Sequence, residues 1–273
     1  MRSIPLIDLS TTSGTVAEVE AACRDVGFMY IVGHGIGSNT IAAARQAIIA
    51  YFSQSESQKH RDRISRDNYR GYIPAGFFSP AHGQGANDDY EGYKLHVEVE
   101  PDDPICVACD LYGPNKWPQE PQSMRAAMLA YWHECDRVAL RLLTDIAAIL
   151  GTDREAFLSL FEMPLTNMTL LHYPPQAANS QRFGIHPHKD TDALTILAAD
   201  PVGGLYVRAR DADEWIRVDA PEGALIVNIG DLLEIWSGGY LVSTPHKVVN
   251  DSGKERFSFP YFVVPRYDTV VRP

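Results

Sequence analysis

A histidine and an aspartate two residues apart, His188 and Asp190, form the first pattern in this sequence that could carry chemistry. Residues i and i+2 of an extended chain point to the same side, so this imidazole and carboxylate can meet one cation. A third ligand must come from elsewhere, and His246 begins a later β-rich run. Two histidines and one carboxylate leave metal positions open, as Fe(II) oxygenases require. The alternative at this point is a set of hydrogen-bonded surface histidines.

A second pair, Arg256 and Ser258, shares one face of a predicted strand a short distance beyond His246. A guanidinium binds a carboxylate through two parallel hydrogen bonds, and a hydroxyl can add a third. In a barrel these side chains would enter the same cavity as the three candidate ligands. We therefore expect an anchor for the distal carboxylate of a keto-diacid. A surface ion pair is the alternative, and the aromatic residues around Arg256 argue against it.

The elements that must position these side chains change character along the chain. Residues 1–150 predict a mixed layer dominated by helices, because apolar residues recur at helical spacing over 15–26, 38–52 and 121–150. Residues 66–92 are rich in Gly, Asn, Asp and Pro and read as loop with short strands. From residue 167 onward, short β-rich runs separated by turns indicate a sandwich or barrel. The predicted strands are 4–9, 28–32, 168–173, 194–198, 204–207, 215–218, 224–229, 245–249 and 256–264.

Composition limits the class of protein further. The chain has 273 residues, 45% hydrophobic and 22% charged, with a net charge of −11. An acidic surface repels phosphate backbones, so we expect no nucleic-acid partner. No apolar run is long enough for a membrane span, and residues 1–10 lack the apolar stretch of a signal peptide, so we expect a cytoplasmic protein. The four cysteines, which include a C-x-x-C at 106–109, are expected to be reduced thiols.

Several spaced motifs together resemble one known family, the isopenicillin N synthase-like 2-oxoglutarate/Fe(II) dioxygenases. The resemblance extends over nearly the whole chain, and its most specific part begins at His188. The matching motifs are IPLID at 4–8, GFMYIVGHGI at 27–36, RGY at 70–72, LHYPP at 171–175, VGGLY at 202–206, GALIVNIGD at 223–231, HKV at 246–248 and RFS at 256–258.

The resemblance implies a mixed α/β, mainly β fold, with a double-stranded β-helix (jelly-roll) core braced by N-terminal helices. We expect one domain over residues 1–273, in which 165–265 form the jelly-roll that carries the iron site. By similarity, His188, Asp190 and His246 would bind Fe(II). Arg256, Ser258 and Tyr173 would bind the cosubstrate 2-oxoglutarate, although Leu171 stands where relatives often have Asn.

The implied reaction uses O₂ and 2-oxoglutarate to oxidise, most often to hydroxylate, a small organic molecule, with release of succinate and CO₂. Substrate contacts are expected from the 66–98 segment, and the candidates are Phe77, Phe78, Tyr93 and His96. Longer relatives continue into a C-terminal helix over the site, so residues 76–92 are a candidate lid here. The sequence leaves the substrate and the oligomeric state open.

Three alternatives remain at this point. An oxidase of the isopenicillin N synthase type would use O₂ without 2-oxoglutarate, and a pair such as Arg256 and Ser258 also occurs in such enzymes. A jelly-roll that only binds a small molecule is disfavoured by the complete set of three ligands. A zinc hydrolase could use the same ligands, but no motif supplies an obvious general base.

Overall fold

The computed structural model of this protein describes residues 3–11, 15–65, 68–78, 87–177, 182–208, 214–250 and 252–273. Within them the helices are α1 (Thr15–Asp25), α2 (Ser38–Phe52), α3 (Glu56–Lys59), α4 (Ile105–Ala108), α5 (Ser123–Ile149), α6 (Arg154–Ser159) and α7 (Asp231–Trp236), with a 3₁₀ turn at His60–Asp62. The strands are β1 (Leu6–Asp8), β2 (Phe28–Val32), β3 (Gly71–Ile73), β4 (Glu91–His96), β5 (Asn167–Tyr173), β6 (Ile185–His188), β7 (Leu194–Ala198), β8 (Leu205–Val207), β9 (Ile216–Arg217), β10 (Leu225–Ile229), β11 (His246–Val248), β12 (Arg256–Ser258) and β13 (Tyr261–Val263).

Two sheets face each other and form the predicted jelly-roll. The larger sheet has the order β1-β2-β10-β7-β13-β5-β4-β3, with β12 also paired to β5, and the smaller has the order β6-β11-β8-β9. Apolar side chains from both sheets fill the space between them, as in a small closed barrel. These interior residues include Phe28, Tyr30, Leu171, Tyr173, Leu197, Leu205, Val207, Ile226 and Val248.

The helical layer covers the outer face of the larger sheet. The longest helix, α5, buries a stripe of residues three or four positions apart, as an amphipathic helix does when one face meets a core. This stripe is Met124, Met128, Tyr131, Cys135, Val138, Leu142 and Ile146. Together with α1 and α2 it packs on the outward-facing side chains of β5, β7, β10 and β13. None of the described helices combines the length and apolar character that crossing a membrane would require.

Strand alternation gives each strand of the larger sheet one helix-facing and one interior-facing side. On β5, Met168 and Leu170 join the helix-side core, whereas Leu171 and Tyr173 join the interior cluster. Successive residues of a strand point to opposite faces, so the interior face of β5 also carries Asn167 and Thr169. The same rule decides which predicted site residues can meet.

One predicted strand needs correction, and some observed elements were not predicted. The predicted strand 256–264 is two strands, since β12 pairs with one end of β5 while β13 pairs with the other end and with β7. Pro260 lies between them, and proline cannot donate a ladder hydrogen bond. The strand β6 and the short helix α7 lie in segments for which no element was predicted.

A buried polar network ties the helical side of β4 and β5 to the N-terminal layer. The Glu91 carboxylate accepts hydrogen bonds from Lys59 Nζ at 2.6 Å, Tyr72 Oη at 2.6 Å and His172 Nδ1 at 2.8 Å. The His172 ring stacks on Phe257 with centroids 4.8 Å apart. Burial alone would raise the pKa of Glu91, but the hydrogen bonds from His172, Lys59 and Tyr72 outweigh it, and the pKa lies below the ordinary 4.5. The network therefore stabilises the ionised carboxylate.

Glu91→Gln is expected to lower the free energy of unfolding near neutral pH by about 2–3 kcal/mol, because it removes the buried carboxylate beside Lys59 and leaves only the exposed Glu56 as a charged partner. A carboxyl whose pKa is lowered by folding contributes stability above its unfolded pKa and loses it as the pH falls through the folded value. The difference in unfolding free energy between wild type and variant should therefore shrink as the pH falls below 4.5, the ordinary pKa of this carboxyl group. Urea unfolding near neutral pH and in mild acid measures this difference in unfolding free energy.

Glu255→Gln is the matched control, because Glu255 also approaches His172, at 3.5 Å, but its side chain is 58% exposed. This variant should unfold almost like the wild type. Equal stability of Glu91→Gln and wild type near neutral pH would contradict the proposed energetic role of the network.

Candidate metal centre

Three side chains from two strands and one loop converge at one end of the barrel interior. His188 ends β6, and the antiparallel pairing of β6 with β11 places it directly opposite His246. Asp190 follows two residues after His188, and its Oδ1 lies 3.7 Å from His188 Nε2 and 3.5 Å from His246 Nε2. One ligand atom from each residue lies within 4.8 Å of the other two. The predicted ligands therefore surround a single point.

Hydrogen bonds to the backbone aim both imidazoles at that point. His188 Nδ1 lies 2.7 Å from the carbonyl of His186, and His246 Nδ1 lies 3.2 Å from the carbonyl of Thr244. If each Nδ1 carries the proton and donates it, each Nε2 keeps a lone pair for a metal. Phe28 packs edge-on against the His246 ring, with centroids 5.5 Å apart. The tautomer and the ring orientation are thus set before any ion arrives.

The Asp190 carboxylate is oriented by two neighbours in the larger sheet. Its Oδ2 accepts hydrogen bonds from Thr195 Oγ1 at 2.6 Å and from Asn228 Nδ2 at 2.8 Å. Burial would raise the pKa of Asp190, but His246, His188 and the Thr195 hydroxyl outweigh burial and lower it below the ordinary value. The carboxylate is therefore anionic, with Oδ1 left to face the two histidines.

A second acid, Asp192, lies beneath the first. Burial, together with the charge of Asp190, raises the pKa of Asp192 well above its ordinary value. Its Oδ2 accepts a hydrogen bond from Thr195 Oγ1 at 2.9 Å, so the same hydroxyl lies between the Asp190 and Asp192 carboxyl groups. A Cβ on Gly230 would lie 2.2 Å from the Asp192 carbonyl oxygen, so this position has room only for glycine. The loop after β6 is thus packed tightly against the start of α7.

A buried cation lies deeper in the same interior. Arg256 is 3% exposed, donates from Nε to the Gly203 carbonyl at 2.6 Å, and lies 4.7 Å from the centre of the Tyr173 ring. Its Nη1 is buried and has no hydrogen-bond partner among the described residues. Ser258 shares this face of β12, since β12 pairs Arg256 with Tyr173 and Ser258 with Leu171. A free guanidinium N–H beside a buried hydroxyl fits the carboxylate of a keto-diacid.

Tyr173 completes this deep subsite. It is 1% exposed, and burial raises its pKa to about 12 even though Arg256 acts in the opposite direction. The phenol is therefore neutral and can donate a hydrogen bond. Leu171 lies two positions before Tyr173 on the same face of β5 and adds buried apolar surface to this subsite.

The predicted substrate residues do not lie together. Tyr93 is fully buried on the helix side of β4, against Tyr51, and its hydroxyl bonds to the Lys116 carbonyl, so it does not face the metal centre. His96 lies on the opposite face of β4 from Tyr93 and pairs with Asn167. Burial, with the charges of Lys94 and Arg70, lowers the pKa of His96 to about 3, so its ring is neutral.

The remaining two substrate candidates lie before β4. Phe77 is 41% exposed, and its ring packs against Phe78, which in turn contacts Tyr69. The candidate lid 76–92 includes residues 79–86, which lie outside the described residues. After them, Asp88 accepts a 2.6 Å hydrogen bond from His186, next to the metal centre.

Two residues that orient Asp190 are absent from the sequence predictions. Thr195 and Asn228 are directly paired on β7 and β10, and both side chains face the interior. Each is a lone polar residue within an otherwise apolar strand, which is the signal that could have identified them. Lys189, between His188 and Asp190, pairs with Glu234 of α7 at 2.6 Å and so points away from the metal centre.

Asn228→Ala is expected to weaken Fe(II) binding by about 10- to 100-fold, because partners that orient a metal ligand typically contribute that much. The affinity can be measured anaerobically by competition with a chelator. Asn39→Ala, at an exposed position of α2, is the control and should bind Fe(II) like the wild type. Unchanged affinity in Asn228→Ala would contradict an orienting role for this amide.

Comparisons with known proteins agree with this geometry. A family model described as the 2OG-Fe(II) oxygenase superfamily matches residues 165–265, and one described as non-haem dioxygenase in morphine synthesis N-terminal matches residues 4–120. The 2-oxoglutarate-dependent dioxygenase 11 of Oryza sativa subsp. japonica is 32% identical over 99% of this chain and 74% of that protein.

Solved structures extend the agreement to the whole fold. A 2OG-Fe(II) oxygenase family protein from Caulobacter crescentus matches with a TM-score of 0.87 and 27% identity, over 100% of this chain and 90% of that one. JOX2, solved with 2OG, Fe and JA, matches with a TM-score of 0.84 and 28% identity, over 99% and 77% of the two chains. The chain therefore belongs to the 2OG-Fe(II) oxygenase superfamily, and it is a non-haem Fe(II)- and 2-oxoglutarate-dependent dioxygenase.

Proposed function

We propose that His188, Asp190 and His246 hold the Fe(II), and that Arg256, Ser258 and Tyr173 bind the distal carboxylate of 2-oxoglutarate. One observation carries this assignment. The buried Arg256 Nη1 has no partner among the described residues, and it lies in the same barrel interior as three converging ligand atoms. When bound, Fe(II) and 2-oxoglutarate supply the O₂-dependent oxidation of a C–H bond, with succinate and CO₂ as co-products.

The chain itself supplies binding, orientation and a dry interior. Arg256 and Tyr173 lie at one end of the interior face of β5, so a cosubstrate held there extends toward the metal centre. Leu171, Leu197 and Ile226 surround that path with buried apolar surface. Such a lining strengthens the charge interactions of Arg256 and Asp190, because few waters compete with them.

The substrate is proposed to be a small molecule, as in the relative solved with JA. Phe77, Phe78 and His96 remain candidates for substrate contact, and the placement of Tyr93 removes it from that set. The net charge of −11 supports a partner other than nucleic acid. We also propose that residues 1–273 form one domain, since α1, α2 and α5 share a single buried core with the larger sheet.

Adding Fe(II) and 2-oxoglutarate to the anaerobic apoprotein is expected to produce a weak visible metal-to-ligand band. His188→Ala should abolish the band, because it removes a ligand. Arg256→Met should retain iron but weaken 2-oxoglutarate binding about a hundredfold, because it removes a buried charged partner. Arg24→Met, at an exposed ion pair, is the matched control and should behave like the wild type.

Succinate release separates this function from its nearest alternative. A 2-oxoglutarate-dependent enzyme forms succinate from 2-oxoglutarate, whereas an oxidase of the isopenicillin N synthase type consumes O₂ without it. Iron binding with neither the visible band nor succinate would contradict the proposed assignment of Arg256, Ser258 and Tyr173.

A further inference from the structure

A lysine of β4 lies on the interior wall of the barrel. Lys94 extends from β4 on the face opposite Tyr93 and Leu95, whose side chains belong to the helix-side core. Its Nζ donates to Asn167 Oδ1 at 2.6 Å and to Thr169 Oγ1 at 2.9 Å, and it lies 5.4 Å from the centre of the Phe262 ring. These contacts hold the ammonium group in one place against the wall.

The charge of Lys94 has no carboxylate partner within ion-pair distance among the described residues. The other well-buried lysine, Lys59, is paired with Glu91 at 2.6 Å and with Glu56 at 2.8 Å. Burial lowers the pKa of Lys94 to about 8, although the nearby carboxyl groups of Asp192 and Asp190 act to raise it. A cation in such an environment is costly unless a partner neutralises it. Among the described residues, the Lys94 ammonium group donates only to neutral oxygens. A hydrogen-bond acceptor from outside the chain can therefore take its remaining proton.

The position of Lys94 relative to the metal centre is set by strand pairing. Lys94 pairs with Thr169, and the neighbouring interior residue Asn167 pairs with Phe262, which in turn pairs with Thr195 beside Asp190. Tyr173 lies four positions beyond Thr169 on β5, which corresponds to about 13 Å along the strand. The interior face of β5 therefore has an anionic-ligand site at the Tyr173 end and a second, lysine-centred site nearer the metal ligands.

We infer that Lys94, positioned by Asn167 and assisted by the Thr169 hydroxyl, binds a carboxylate of the substrate, so that the substrates of this enzyme are small organic acids. This inference rests on the proposed function, because it takes the barrel interior as the active site. The Asn167 and Thr169 oxygens use two of the three ammonium protons and leave the third for the incoming carboxylate. Phe262 and Leu171 offer apolar surface to the body of the acid.

The test compares acids with their own amides. Phenylacetate, cinnamate and hexanoate, each paired with its primary amide, are titrated by ligand-observed NMR into protein containing Zn(II) and saturating 2-oxoglutarate, which occupies Arg256. We expect at least one acid to bind about tenfold more tightly than its amide, since a charge-assisted hydrogen bond contributes that much. Lys94→Met should bring the ratio near one, and Lys94→Arg should retain it.

Lys254→Met is the matched control, because it removes the same charge at an exposed position and should keep the acid preference. The visible Fe(II)–2-oxoglutarate band is recorded separately for every variant. If the band forms but no acid is preferred in wild type, or if the preference survives in Lys94→Met, the inference is overturned. If the acid preference depends on Lys94 while the band is absent, the proposed function fails and the acid site stands.

Discussion

The antiparallel pairing of β6 with β11 is the contact on which the rest of the site depends. It places His188 opposite His246, and the carbonyls of His186 and Thr244 then orient both rings. Asp190 is held from the other side, by side chains of β7 and β10. The metal centre is therefore built from both sheets. A shift of one residue in the register of the smaller sheet would turn the His246 side chain out of the barrel.

The interior of the barrel combines buried charge with apolar surface. Arg256, opposite Tyr173 of β5, and Lys94, opposite Thr169, are both held by neutral oxygens, and each retains donor capacity for a ligand. Outside the barrel, the Glu91 network and α5 keep the strands in place. The helical layer therefore affects the chemistry only indirectly. It fixes which face of β4 and β5 packs against the helices, and so which side chains enter the interior.

Local patterns in the sequence predicted much of this arrangement, and the physical reasons are clear for individual residues. His188 and Asp190 are two apart in extended chain, so their common side follows from strand geometry alone. Arg256 and Ser258 follow the same rule. The family resemblance supported His246 as the third ligand and specified the jelly-roll. By contrast, Thr195 and Asn228 are each marked only as a lone polar residue in an apolar strand, and it is the pairing of β7 with β10 that brings both to Asp190.

The error at Tyr93 has the same origin. Tyr93 and His96 are three residues apart on one strand, so they must face opposite sides, and only the pairing with β5 decides which one enters the barrel. That pairing gives the interior to Lys94 and His96. The break within 256–264 likewise depends on β12 and β13 pairing with opposite ends of β5, and on β13 also pairing with β7, on either side of Pro260.

The most direct test is a crystal grown without oxygen in the presence of Mn(II) and 2-oxoglutarate, with anomalous diffraction used to locate the metal. We expect a single manganese bonded to Nε2 of His188, Nε2 of His246 and Oδ1 of Asp190. We also expect 2-oxoglutarate to extend from that ion to Nη1 of Arg256. Manganese bound elsewhere, or a cosubstrate whose distal carboxylate leaves Arg256 without a partner, would contradict this assignment.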